Sequence, residues 1–293
     1  MIDSSNGLYP QRLLLATDLC ARCDRPLDRA KQLALEWQSA LAILTVREGP
    51  RTPDEVSSWL DGAPAPFERA AHRELDEEFR DSGLAPTLQV AQGDVTDAIL
   101  AAAEAMPDAL VVTGPSDEDS LQELILGTTA ERLSQELAQP LLVVRQRSRG
   151  PYARILVAND FSNNARHALE TATRLFPGRR IVLFHVLEAL SEPVAGAVQD
   201  ALQASDRFLD DCRLAPGARE HITTFIGHGS VSDTIASYAL EQSIQLAVLG
   251  VQRQSAQSQL ARIFTASRRG ADLLQQLACD TLLVPAREGH EDG

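Results

Sequence analysis

Apolar positions along this chain fall into two kinds of run that take turns. Arg12-Leu13-Leu14-Leu15-Ala16-Thr17-Asp18 is apolar at successive positions and ends on a carboxylate, which predicts a strand buried on both faces. From Asp24 the spacing becomes helical: Leu27, Ala30, Leu33, Ala34 and Trp37 share one face, and Asp24 suits the cap. Leu41-Ala42-Ile43-Leu44-Thr45-Val46 predicts a second strand. Residues 49–66 contain Pro50, Pro53, Pro64 and Pro66 and predict an exposed, irregular connection. A charged helix over Phe67–Arg80 leads to a third strand at Thr87-Leu88-Gln89-Val90. Gly93-Asp94-Val95-Thr96-Asp97 opens the next helix, which Pro107 stops. The strands Ala109–Thr113 and Pro140–Val144 then flank a helix marked by Ala130, Leu133 and Leu137. Continuous apolar strands alternating with helices predict a parallel sheet covered on both faces.

Arg145-Gln146-Arg147-Ser148-Arg149-Gly150-Pro151 breaks this pattern, and it then begins again. Arg154-Ile155-Leu156-Val157-Ala158-Asn159-Asp160 repeats Arg12 to Asp18. Ile181–Val186 repeats the second strand, Gly229–Ile235 repeats Gly93–Ile99, and Leu246–Gly250 repeats the strand that enters Gly114. Thr281–Val284 repeats the last strand. A duplicated unit of about 140 residues is far longer than a solenoid repeat. The expected architecture is two tandem α/β domains, residues 1–147 and 152–287, each a doubly wound, five-stranded parallel sheet with helices on both faces.

Composition narrows the function. There are 27 basic and 41 acidic residues, a net charge of −14, which disfavours nucleic acid and anionic membranes as partners. No apolar run approaches the roughly 18 residues of a membrane span, and Met1-Ile2-Asp3-Ser4-Ser5 lacks a signal-peptide pattern, so a cytoplasmic location is expected. Cys20, Cys23, Cys212 and Cys279 are too few and scattered for a secreted disulfide framework.

The stretch with most chemical promise follows the fourth strand. Gly114-Pro115-Ser116-Asp117 is succeeded by Gly127-Thr128-Thr129-Ala130 at a helix start. Backbone N–H groups there lack intrahelical partners and the helix dipole favours an anion, while glycine permits close approach and a threonine hydroxyl adds a donor. The same residues would equally serve an ordinary strand-to-helix loop. Asp18, at the carboxyl end of a strand, either faces a ligand or caps the following helix. Cys20-Ala21-Arg22-Cys23 could be a redox pair at a helix start, although the second copy has Ser162 and Ala165 there. His185, His221 and His228 lack acidic or cysteine neighbours at ligand spacing and read as structural. Neither a Gly-x-Ser-x-Gly elbow nor a Gly-Lys-[Ser/Thr] phosphate loop occurs.

These pieces, in this order and twice over, resemble the universal stress protein family in its tandem form. The resemblance rests on the strands ending in Asp18 and Asp160, the Val46 and Val186 strands, Gly93-Asp94 and the loop opening at Gly114, and it covers nearly all of residues 10–286. It implies a Rossmann-like fold of the adenine nucleotide alpha hydrolase type. By position it implies Asp18 and Val46 at the adenine end of a nucleotide, with Gly114, Gly127, Thr128 and Thr129 along the ribose and phosphates. The ligand implied is ATP or a related adenine nucleotide with Mg²⁺, bound with at most weak ATPase activity, in a stress-response regulator. The family also pairs domains through the last strand, so Leu141–Val144 and Leu282–Val284 are expected to join as a pseudo-dimer, with a homodimer of chains beyond it. Two departures stand against the family motif. Asp117 replaces its middle glycine in the first copy, and Arg253 replaces it in the second, where Ser267 also stands for the final glycine. The second domain is therefore expected to be a degenerate partner. The alternative is a module without nucleotide, whose loops bind protein partners not named by the sequence.

Overall fold

The computed structural model describes residues 9–19, 24–47, 64–115, 129–188, 195–252, 273–274 and 276–286. The chain forms two compact units, residues 1–133 with 147–150, and residues 134–146 with 151–293.

The first unit contains β1 (Arg12–Ala16), α1 (Asp24–Trp37), β2 (Ala40–Arg47), α2 (Pro64–Phe79), β3 (Thr87–Gln92), α3 (Val95–Glu104) and β4 (Ala109–Thr113), and α4 (Thr129–Glu136) opens at its end. Its strands lie in the order β3-β2-β1-β4, all parallel. Leu13, Leu14 and Leu15 are each fully buried, as are Val111 and Val112. Burial at successive positions means that both faces of the sheet are covered, which is why these strands read as unbroken apolar runs. The face predicted for α1 is the buried one, through Ala30, Leu33, Ala34 and Trp37, while Leu35 points away and is exposed. Asp94 caps α3, its carboxylate accepting from the Asp97 N–H at 2.9 Å. One expectation shifts: α2 starts at Pro64, inside the stretch read as irregular. Proline is compatible with a first helical turn, whose N–H groups have no intrahelical acceptor to lose.

The second unit contains β5 (Leu141–Val143), β6 (Arg154–Ala158), α5 (Asn163–Leu175), β7 (Arg180–Leu187), α6 (Ala195–Asp211), β8 (Ile222–His228), α7 (Val231–Glu241), β9 (Leu246–Val251) and β10 (Asp280–Pro285). Strand order is β5-β10-β9-β6-β7-β8. All neighbours are parallel except β5 and β10, which run antiparallel with Thr281 opposite Val143, Leu282 opposite Leu142 and Leu283 opposite Leu141. The two last strands of the repeat therefore do meet.

Just beyond β5 the chain is fastened by a single carboxylate. Asp280 is fully buried. One of its oxygens, Oδ1, accepts from the N–H groups of Arg145 and Gln146, both at 2.8 Å, and Oδ2 accepts from the Tyr152 hydroxyl at 2.6 Å. The Arg145 guanidinium donates to the Leu274 carbonyl at 2.7 Å, and Gln245 Oε1 accepts from the N–H groups of Ala153 and Arg154. Four backbone N–H groups at the ends of the connection between the repeats are thus met by fixed side-chain acceptors.

Candidate functional site

In the first unit β1 has β2 on one side and β4 on the other, so the chain's connections part in opposite directions at the carboxyl ends of β1 and β4. Ligands of open α/β sheets lodge at such a switch point. Register shows what meets there. Ala16 pairs with Leu44 and Leu15 with Val112, and the Thr17 N–H donates to the Leu44 carbonyl at 3.0 Å. Asp18 follows the end of β1 by two residues, Val46 lies near the end of the neighbouring β2, and Gly114 follows directly on Thr113, the last residue of β4. Asp18 is exposed and Val46 and Gly114 are half-buried, as accessible site residues must be.

The backbone after β1 turns sharply. Leu19 has φ 57, a left-handed conformation that is costly for leucine, and its N–H donates to Thr17 Oγ1 at 3.1 Å. The second unit repeats the device at higher fidelity than the sequence comparison indicated. Phe161 has φ 65, its N–H donates to Asn159 Oδ1 at 2.9 Å, and Asp160 Oδ1 accepts from the Ser162 N–H at 3.0 Å. There the helix cap is Ser162, whose hydroxyl accepts from the Ala165 N–H, so the aspartate of the repeat serves the turn rather than the helix. Position 17 and its copy 159 were not picked out from sequence; a side-chain acceptor two residues before a non-glycine turn was the available signal.

Among the described residues, two side-chain groups at these strand ends are buried without a hydrogen-bond partner, Thr45 Oγ1 in the first unit and Asn159 Nδ2 in the second. Position 45 corresponds to His185, whose Nδ1 lies 2.8 Å from the Asn159 carbonyl and whose ring packs on Phe161 with centroids 4.4 Å apart. His185 is thus held in the packing, in keeping with its structural reading. Among the described residues no group of three or more His, Cys, Asp or Glu is placed to hold a metal.

Gly114 and Gly250 end equivalent strands but bear different loads. A Cβ on Gly250 would stand 2.4 Å from the Asn164 carbonyl oxygen at the start of α5, a contact no side chain can make without moving backbone. On Gly114 the nearest atom would be Pro26 Cγ at 3.3 Å. The second glycine is consumed by helix-to-strand packing against backbone, whereas at the first only the Pro26 ring stands in tight contact and would have to give by a few tenths of an ångström.

The far side of the candidate loop begins at Thr129, the first residue of α4. One turn later Arg132 reaches the start of α3, with Nη2 2.7 Å from Asp97 Oδ1 and Nη1 3.5 Å from Asp94 Oδ1. This exposed pairing ties the amino ends of two helices beside the loop, and its partners stand 35 and 38 residues from Arg132, beyond any local sequence signal. Gly127, Thr128, Asp117, Cys20, Cys23, Arg253 and Ser267 lie outside the described residues. The structure thus brings Asp18, Val46 and Gly114 to one end of one sheet and sets Thr129 at a helix start.

The fold defines a tandem, doubly wound α/β protein with a switch point in its first unit. The model of the universal stress protein family matches residues 10–145 and again 151–285, and the chain belongs to that family. Among solved structures, a universal stress protein from Archaeoglobus fulgidus DSM 4304 is 15% identical with a TM-score of 0.66, over 96% of this chain and 99% of that one. A functionally unknown protein from Pseudomonas aeruginosa PAO1 is 18% identical with a TM-score of 0.63, over 97% and 95%. At such identities the likeness is one of fold. No curated protein matches the chain.

Proposed function

We propose that the first unit binds ATP or a related adenine nucleotide and that the protein is a cytoplasmic stress-response regulator with little or no nucleotide hydrolysis. One observation carries the reading: Asp18, Val46 and Gly114 all lie at the carboxyl ends of the neighbouring strands β1, β2 and β4, beside the switch point between β1 and β4. In this reading the Asp18 carboxylate accepts from the adenine or ribose end, Val46 supplies an apolar wall, and Gly114 lets the backbone approach the sugar. Gly127, Thr128 and Thr129 hold the phosphates at the amino end of α4, where unpaired N–H groups favour an anion. Mg²⁺ would offset repulsion between phosphate and the acidic run Asp117-Glu118-Asp119, which adjoins the loop in sequence. Gly250, filled by the close approach of Asn164, supports a structural role for the second unit. Association of two chains and binding of protein partners complete the regulatory reading.

Calorimetric titration of the nucleotide-stripped full chain with ATP, with and without Mg²⁺, tests it. One site per chain with Mg²⁺-dependent heat is expected, abolished by Gly127→Asp. Absence of heat in both conditions, or unchanged affinity in the variant, would overturn the assignment.

A further inference from the structure

The duplication supplies an internal control, since one unit shows what the other has added. In the first unit Leu44 on β2 pairs in register with Gln89 on β3. In the second, the matching pair on β7 and β8 is Phe184 with Phe225. Aligning the helices from Val95 and Val231 places Tyr238 where the first unit has Ala102. The three rings form one cluster, with Phe184 and Phe225 stacked at 22° with centroids 5.1 Å apart, and Tyr238 tilted against both, 4.7 Å from Phe184 and 4.6 Å from Phe225. Phe184 is buried, whereas Phe225 is 41% exposed. A large ring is thus packed against two others and shown to solvent, at a position where the other repeat carries a polar glutamine.

Phe225 sits at the middle of β8, the terminal strand of its sheet. Edge strands in soluble proteins are usually blunted by charge, proline or a bulge. Ile222-Thr223-Thr224-Phe225-Ile226-Gly227-His228 contains no Lys, Arg, Asp, Glu or Pro. Backbone groups along its outer side suit an added strand, and such a strand would cover the exposed part of the ring.

We propose that β8 is a self-association edge, on which the β8 of a second copy of this chain pairs antiparallel about Phe225. The strand reads compatibly against itself in that arrangement. Phe225 meets its counterpart, Thr224 meets Ile226 and Thr223 meets Gly227, and a cross-strand aromatic pair is favourable. An antiparallel partner also brings the Glu220 end of one strand to the His228 end of the other, where a parallel partner would set Glu220 on Glu220. For a chain with a net charge of −14, an uncharged strand is where two copies meet with least repulsion. A seven-residue pairing falls short of the roughly 1,200–2,000 Å² of a stable interface, so the dimer is reversible and concentration-dependent.

Sedimentation of the full chain over a wide concentration range tests this. The wild type should pass from monomer to dimer as concentration rises. Phe225→Lys and Thr223→Lys should each weaken the dimer at least about tenfold, because a strand-edge charge must be desolvated on pairing. Gln89→Lys, on the terminal strand of the other unit, should leave dimerisation unchanged. Thr223 lies outside the ring cluster, so its variant decides the matter should Phe225→Lys fold poorly. A wild type that stays monomeric at every concentration, or a dimer indifferent to both β8 variants, overturns the proposal.

Discussion

Replacing Asp280 with alanine should be among the most damaging single changes available in the second unit. The carboxylate is fully buried and accepts three hydrogen bonds, from two backbone N–H groups at 2.8 Å and a phenol at 2.6 Å. Bonds to a charged acceptor contribute about 1.5–3 kcal/mol each, but they share one group and the carboxylate's own desolvation is relieved when it goes. A net loss of about 3–5 kcal/mol is expected, most of it from Arg145 and Gln146 N–H groups left unpaired. Asp280→Asn keeps one acceptor for those N–H groups, and the Tyr152 hydroxyl can turn to accept from the new amide, so about 1–2 kcal/mol is expected. Tyr152→Phe removes only the third bond and should cost about as little. Urea unfolding followed by far-UV circular dichroism measures these differences; tryptophan emission alone does not suit, because Trp37 and Trp59 both lie in the first repeat. An alanine variant within about 1 kcal/mol of wild type would refute the account of the joint. So would a Tyr152→Phe variant as unstable as Asp280→Ala.

Other outcomes follow from local geometry. Gly250→Ala should destabilise by about 1–3 kcal/mol or more, because its Cβ would collide with the Asn164 carbonyl, while Gly114→Ala should stay within about 1 kcal/mol; thermal melts of the two variants compare them. If Gly114 lines the nucleotide, its alanine variant should nonetheless lose ATP affinity by calorimetry. Burial foremost, and then the neighbouring Asp280 charge, push the Cys279 thiol up to about 11. The unfolded chain therefore releases that proton first, so the contribution is intact below pH 9 and is lost as pH rises towards about 11. Cys279→Ala should flatten that decline in urea titrations across the window. Arg132→Ala should cost less than about 1 kcal/mol, since both its carboxylate partners are exposed; a larger loss in thermal melts would show that the tie beside the loop is structural.

Much of the fold was legible because its signals are local and apolar. Leu13–Leu15 and Val111–Val112 are unbroken runs precursory to two-sided burial, and Ala30, Leu33 and Trp37 fall on one helical face. Pairing of the two last strands was legible only through the family resemblance, because nothing in Leu141–Val143 names its partner. The joint at Asp280 was hidden for a related reason: its partners stand 128 to 135 residues away, and a lone aspartate before a strand resembles any turn residue. Left-handed turns at Leu19 and Phe161 were hard to read, since a bulky residue gives no hint of positive φ and the only local signal is the acceptor two residues earlier, Thr17 or Asn159. At the candidate site, Asp18, Val46 and Gly114 were readable as strand ends. Their placement on neighbouring strands depended on strand order, which a linear pattern leaves open.

The path of the chain between its units has a practical consequence for dissection. It leaves the first unit after residue 133, supplies β5 to the second, returns for residues 147–150, and then departs for good. No single cut can divide such a polypeptide into its two bodies. A fragment beginning at residue 151 would carry β10 with its Leu141–Val143 neighbour removed, baring a row of unsatisfied amides beside Leu282 and Leu283. Gene truncation at the repeat boundary would then report on damage rather than on division of labour. Asking which half holds a ligand calls for point substitutions in the intact polypeptide, made one strand end at a time.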